Sequence, residues 1–372
     1  MSGLGALLFV VALLFSIGLH ELGHLLTAKR FGIKATHYFI GFGPKLWSTT
    51  RGETEYGVRA LPLGGFVKIA GMNPFEEVAP EDRDRIFKAK PAWQRAIVLA
   101  AGSFTHFLLG FVILALVFAV SAVPRATQTI DEVTEGFEGG PSPAAAAGLM
   151  PGDTIIAVGG ERVGTWAETV EALRDRPGER TKIRIERDGE RLTVTARLAD
   201  HHPDVDGEIG FLGVAPLVEE IRVSPVVAVR DAGTELGRGM WLSLRGLAQV
   251  FSPQQLSELF SQLSGNARRD INDPTTIVGL TGQAGDLAGG GNFAAFFLLI
   301  GAFNIFIGVV NLLPLPPLDG GHLAVLAYEK VTRRDVDLRK LIPITVTVIS
   351  VFGFLFLALL VLDITQPIQL PQ

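Results

Sequence analysis

Four stretches of this chain are apolar over enough consecutive residues to cross a hydrocarbon core, a distance that takes roughly 20 residues of helix. They run from Leu4 to Ala28, Ala96 to Val123, Phe293 to Leu313 and Leu341 to Leu362. Such runs, in a 372-residue chain that is 48% apolar and only 19% charged, exclude an ordinary soluble enzyme. The expected architecture is a polytopic α-helical membrane protein with an attached extramembrane domain. No Lys or Arg precedes the first run, and Lys29-Arg30 follows it. It therefore lacks the basic n-region of a signal peptide and is expected to remain as a transmembrane helix with its N-terminus outside.

Charge sets the sidedness. Between Lys29 and Arg95 there are 12 Lys/Arg against 7 Asp/Glu, between Ser121 and Asn292 16 against 25, and between Tyr328 and Leu341 5 against 3. Lys and Arg accumulate in short cytoplasmic loops, and with four spans the two basic loops share a side. The acidic segment and both termini are thus expected outside the cytoplasm, with the chain in an inner or plasma membrane. Cysteine is absent, so any metal must be held by His, Asp, Glu or water.

Within HYFIGFGPKLWSTTRGETEYGVRALPLGGFVKIAG, the alternation of Tyr56, Val58 and Ala60, then Phe66, Val67 and Ile69, predicts short β-hairpins. Asn73 to Lys90 reads as a polar, mobile loop. In the acidic segment, GGPSPAAAAGLMPGDTIIAVGGERV predicts a strand from Thr154 to Val158 that ends in a Gly-Gly turn. A helix at Ala167 to Arg174 and strands at Thr181 to Arg187 and Arg191 to Leu198, joined by an Asp-Gly turn, are expected next. The AGLMPGD signature, together with GEIGFLGVAP at Gly207 to Pro216, resembles the PDZ family. By that resemblance Gly210, Phe211, Leu212, Gly213 and Val214 form the carboxylate-binding loop. The loop comes after the other strands, which implies a circularly permuted order.

Ser224 to Phe251 is not expected to span. Arg230, Asp231, Glu235, Arg238 and Arg245 would each cost on the order of 2.5–3.5 kcal/mol at mid-bilayer. Leu236, Met240, Leu244, Leu247 and Phe251 recur at three and four residues, the pattern of an amphipathic helix on the membrane surface or against the bundle.

The first span carries HELGH, residues 20–24. Four residues apart on a helix, His20 and His24 share a face about 6 Å apart along the axis. This is the H-E-x-x-H pattern, in which two imidazoles hold zinc and the glutamate, here Glu21, acts as general base. Ionisable groups inside a span mark functional sites by default. Two histidines leave a catalytic zinc one protein ligand short. Asp319, in NLLPLPPLDGGH, is the candidate, because prolines break the inner end of the third span and Gly320 and Gly321 permit a tight turn. Two alternatives stay open: Asp319 as an N-cap of a helix from His322 to Lys330, and His322 as the third ligand.

HELGH in the first span, a PDZ-like domain between the second and third, and NLLPLPPLDGG at 311–321 together resemble the site-2 protease family of intramembrane zinc metalloproteases. The architecture is most similar to that of the bacterial envelope-stress proteases that cut anti-sigma factors. The resemblance implies Zn²⁺ held by His20, His24 and Asp319, catalysis by Glu21, and a substrate backbone held by Asn311. It also implies a membrane-re-entrant β-sheet within Thr36 to Gly71 whose edge accepts substrate by β-addition. The implied partners are the lipid bilayer and single-pass membrane-protein substrates such as anti-sigma factors in a stress response, not nucleic acid. A single PDZ unit is visible where some members carry two.

The expected division is 1–30 for the first span, 31–95 for the hairpins and cytoplasmic loop, 96–123 for the second span, 124–222 for the PDZ-like domain and 223–292 for an amphipathic helical connector. It continues with 293–322 for the third span and its bend, 323–340 for a cytoplasmic segment, 341–363 for the fourth span and 364–372 for a tail. A non-catalytic PDZ adaptor is the alternative function, although a structural metal site needs no base such as Glu21. A metal transporter would want a polar path across several helices. The second and fourth spans offer little beyond Ser103, Thr105, His106, Ser350 and a few threonines.

Overall fold

The computed structural model describes residues 2–73, 76, 78–137, 140–201, 207–269 and 273–368, so the last four residues of the expected tail lie outside the described residues. The chain divides into two compact units, Met1–Ala119 with Ser224–Gln372, and Val120–Val223. The first half runs α1 (Ser2–Arg30), β1 (Ala35–Arg51), β2 (Thr54–Ile69) and α2 (Ala92–Val120). Then come β3 (Val123–Val133), β4 (Gly136–Phe137), β5 (Gly140–Pro141), α3 (Pro143–Ala146), β6 (Thr154–Val158), β7 (Glu161–Arg162), α4 (Trp166–Arg174), β8 (Arg180–Arg187), β9 (Glu190–Arg197) and β10 (Val214–Ile221). The remainder is helical: α5 (Pro225–Val250), α6 (Pro253–Leu263), α7 (Ile277–Gly289), α8 (Phe293–Asn311), α9 (Asp319–Thr332) and α10 (Ile342–Thr365).

Among the described residues four helices are long and apolar enough to cross a membrane: Gly3–Arg30, Ala92–Val120, Phe293–Asn311 and Arg339–Thr365. They coincide with the four apolar runs. Their ends follow local chemistry. Asn292 caps α8 by accepting the Ala295 N–H at 3.0 Å. The helix stops at Asn311, ahead of Pro314, Pro316 and Pro317, which cannot continue its hydrogen-bond ladder.

The segment between α1 and α2 differs from the expected short hairpins. Two long strands, 17 and 16 residues, fold back on each other and pair twice over. Tyr38 faces both Val67 and Tyr56, and Phe39 faces both Phe66 and Gly57. The result is four segments in the spatial order 45–51, 54–59, 35–40 and 65–69; the register makes each edge segment antiparallel to its neighbour and the two inner segments parallel to each other. The fold-back needs glycine. Gly41 has φ +90, and a Cβ there would lie 2.8 Å from the carbonyl oxygens of Arg59 and Leu61. Bends and register shifts at such positions let Pro44 and Pro62 sit inside the strands rather than end them.

The loop after β2 is tied down rather than free over its described residues. Lys34 N–H donates to Arg85 O at 2.9 Å, and Phe87 N–H to Ala70 O at 2.8 Å. Phe87 is buried among Ala28, Ile33, Val98 and Leu326.

In the second unit the sheet order is β10-β3-β6-β8-β9, with a core of Ile130, Ile155, Val158, Ile183, Ile185, Leu198 and Leu212. Asp188 and Gly189 take positive φ, as the Asp-Gly turn between β8 and β9 requires. The Pro-Gly-Asp signature acquires a reason. Asp153 is buried, accepts the Met150 N–H at 2.9 Å and binds Arg187 through Nε at 2.6 Å and Nη2 at 2.7 Å.

Over its described residues the connector is three helices. α5 begins at the Ser224 cap, and its Ala232, Leu236 and Met240 pack on Leu114 of α2 and Ile305 of α8, while Leu244 and Phe251 remain exposed. The unforeseen α7 lies against α1, where a Cβ on Gly5 would come within 2.6 Å of Ala288 Cβ. An ion pair joins the connector to the end of α10. Arg269 Nη1 lies 2.7 Å from Asp363 Oδ1, with both side chains almost wholly buried. Asp363 also accepts N–H groups from Thr276 and Gly279 at the start of α7.

Candidate metal centre

The site begins with a close crossing of α1 and α2. A Cβ on Gly23, inside HELGH, would stand 2.8 Å from Ala101 O. Gly102 answers it from α2. A Cβ there would lie 2.3 Å from His24 Nε2 and 2.5 Å from His20 Cε1. Two glycines therefore let the helices approach and leave open the space in front of both imidazoles.

Asp319 enters that space from the start of α9. Its Oδ2 lies 3.4 Å from His20 Nε2 and 3.2 Å from His24 Nε2, and the two nitrogens are 3.1 Å apart. Tetrahedral zinc with ligands at ~2.0–2.1 Å spaces its ligand atoms about 3.3 Å apart, so the triangle has the size a zinc ion requires. The chemistry of the donor set agrees. Asp319 Oδ2 is buried and accepts no hydrogen bond among the described residues. His24 Nδ1 lies 2.7 Å from Val98 O, so it carries the proton and leaves the Nε2 lone pair facing the carboxylate. A lone pair on His24 Nε2, the Nε2 of His20 and a carboxylate oxygen that accepts no hydrogen bond converge out of water, an arrangement that is costly unless a cation joins them.

The Leu-Asp-Gly-Gly bend explains how Asp319 gets there. Cβ atoms on Gly320 and Gly321 would lie 2.2 Å from Leu312 O and 2.5 Å from Pro316 N, so only glycine lets the proline-rich turn fold onto the start of α9. Asp319 is the first residue of α9 and Leu318 its N-cap, which sets the plain capping alternative aside. His322, the other alternative, lines a separate small cavity with Arg95, Leu99 and Glu329 and is not among the grouped ligands.

The sequence of this site belongs to a known class. The model of peptidase family M50 matches residues 8–359. This chain belongs to peptidase family M50. Among its relatives, the zinc metalloprotease Rip1 of Mycolicibacterium smegmatis is 34% identical, with 100% of each chain covered. Rip1 of Mycobacterium tuberculosis is 36% identical with 99% of each covered, and the zinc metalloprotease RasP of Geobacillus kaustophilus 31% with 96% of each.

The M50 site contains more than the motifs foretold. Glu21 sits beside the sheet edge, where a Cβ on Gly65 would lie 3.1 Å from Glu21 Cγ and 3.2 Å from Ile17 Cγ2. Tyr38 OH donates to Gly18 O at 2.8 Å and pins the same sheet to α1. Gly102 and Val98 went unpredicted as parts of the site, as did His106 as its neighbour, whose ring centroid lies 5.0 Å from that of His20. Of these, His106 had a signal, being a histidine in an otherwise apolar span. Asn311 ends α8, partly buried, eight residues ahead of Asp319.

In the second unit, Gly210 N–H donates to Arg174 O at 3.0 Å, and Phe211 exchanges backbone bonds with Ala199 at 2.9 and 3.1 Å. Leu212 is buried, Gly213 O accepts the Thr134 N–H at 3.0 Å, and Val214 opens β10.

Proposed function

We propose that this M50 member is a zinc metalloprotease that hydrolyses peptide bonds within transmembrane segments of single-pass membrane proteins, anti-sigma factors being the expected substrates. The observation that carries the reading is Asp319 Oδ2 standing within 3.4 Å of both histidine Nε2 atoms. His20, His24 and Asp319 hold the ion. Zinc supplies Lewis acidity that makes water a competent nucleophile near neutral pH.

The chain's own groups do the rest. As water attacks the scissile carbonyl, Glu21 takes its proton on a carboxylate oxygen and then delivers it to the leaving amide nitrogen. A helical substrate must unwind to expose that carbonyl, and its freed backbone groups need partners at membrane depth. The edge segment 65–69, next to Glu21, offers them by strand addition, in a sheet that re-enters the membrane, while Asn311 holds the substrate backbone. The sheet with Gly210 to Val214 is read as a permuted PDZ-like domain. It lies outside the cytoplasm with both termini, where it binds a newly cut tail or excludes bulky substrates.

Glu21→Gln tests this against a non-catalytic adaptor. Assayed in detergent on a single-pass model substrate, the variant is expected to keep its zinc and lose cleavage by about 10²-fold or more. Retained cleavage would sink the assignment.

A further inference from the structure

Three ring nitrogens at the centre have evident roles and one does not. His20 and His24 turn Nε2 toward Asp319, and His24 Nδ1 donates to Val98 O. His20 Nδ1 is buried with no hydrogen-bond partner among the described residues. If Nε2 ligates, neutral His20 carries its proton on Nδ1, and metal-binding histidines almost always donate that second N–H. The Gly102 carbonyl, which accepts the Thr105 hydroxyl at 2.7 Å, also lies against the His20 ring, while Nδ1 itself stays unpartnered.

The neighbouring ring is His106 of α2, buried, its centroid 5.0 Å from that of His20 and its plane tilted by 42°. Two imidazoles joined by one N–H···N bond have centroids roughly 5 Å apart, about 3 Å for the bond plus about 1 Å within each ring. α8 sets the tautomer of His106. Asn304 Nδ2 donates to Ile300 O at 2.9 Å, so its Oδ1 is the acceptor that faces His106 Nδ1 at 2.9 Å. His106 Nδ1 must therefore donate, which leaves a lone pair on Nε2.

We propose that His106 is a positioning residue whose Nε2 accepts the Nδ1–H of His20 when the metal is bound. Asn304, His106 and His20 then form a chain from α8 through α2 to α1 that commits His20 to ligation through Nε2, as the Val98 carbonyl does for His24. The proposal rests on the ligand assignment above and adds two residues to it.

Zinc affinity, measured on the full-length protein in detergent by competition with a chromophoric chelator, tests the chain without reference to cleavage. His106→Leu should weaken zinc binding about 10- to 100-fold, and His106→Gln, whose Oε1 can accept from His20, should stay within about threefold of wild type. Leu and Gln variants that bind equally weakly would mean that His106 only fills space, and the proposal falls. It falls as well if His106→Leu binds within about twofold of wild type while His20→Ala loses zinc. Should His20→Ala itself keep full affinity, the ligand assignment fails first. If the leucine variant does not fold, Asn304→Val tests the next link. A several-fold loss of affinity supports the chain, and unchanged affinity overturns it.

Discussion

Gly102 on α2 stands so close to His24 on α1 that a methyl group at position 102 would lie 2.3 Å from the imidazole Nε2. No side chain fits there unless the histidine or a helix moves. Gly102→Ala is therefore expected to destabilise the protein by about 1–3 kcal/mol, the usual cost of overpacking, and to lower its zinc content. Thermal unfolding and metal analysis of the purified variant check both.

The triangle of His20, His24 and Asp319 predicts a metal dependence that one residue can abolish. Chelator treatment of the wild type should stop cleavage, and added zinc should restore it. Asp319→Ala should lose zinc affinity by about 100-fold or more and should not recover when zinc is returned. Recovery of Asp319→Ala to wild-type cleavage would count against the carboxylate as a ligand.

The edge segment 65–69 predicts a separation of cleavage from metal binding. Val67→Pro removes from the strand beside Glu21 the backbone N–H that bonds the Glu21 carboxylate, and so acts on the base as well as on the strand. Cleavage of a membrane-embedded substrate should drop by about tenfold or more, while zinc affinity stays within about twofold, since no ligand is touched. Equal cleavage by the variant would leave the sheet only a bracing role.

Asp153 predicts a pH dependence in the second unit. Burial alone would push its carboxyl up, but the Arg187 guanidinium and the Met150 N–H outweigh burial and hold it below the usual carboxylate range. A carboxyl lowered in the folded state contributes stability above its unfolded value of about 4, and that contribution is lost as pH falls through the folded value. Asp153→Asn should thus cost about 1–3 kcal/mol near pH 7. The difference from wild type should narrow as the pH drops below about 4, as followed by proteolytic susceptibility of the unit across pH.

What the sequence revealed of the site was what lies close together along the chain. His20, Glu21 and His24 share one helical turn, and Asp319 is marked by the prolines before it and the glycines after it. The four spans were legible because an apolar run needs no tertiary context to be recognised. Gly102, Val98, His106 and Asn304 belong to other helices, and only the crossing of α1 with α2 and the packing of α8 bring them to the centre. Pattern failed differently in β1 and β2. Alternation announced strands, but it could not announce that each bends at glycines and pairs twice. It also said nothing of α7, whose small residues matter only because α1 lies against them.

The Arg269–Asp363 joint bears on how the chain tolerates being shortened. A guanidinium enclosed in protein, its countercharge 94 positions downstream, would be stranded in any version that stops before the last turn of α10. Such a deletion strips a partner from the start of α7, the helix that packs against α1. The last turn of α10 therefore helps to hold α7 in place against α1.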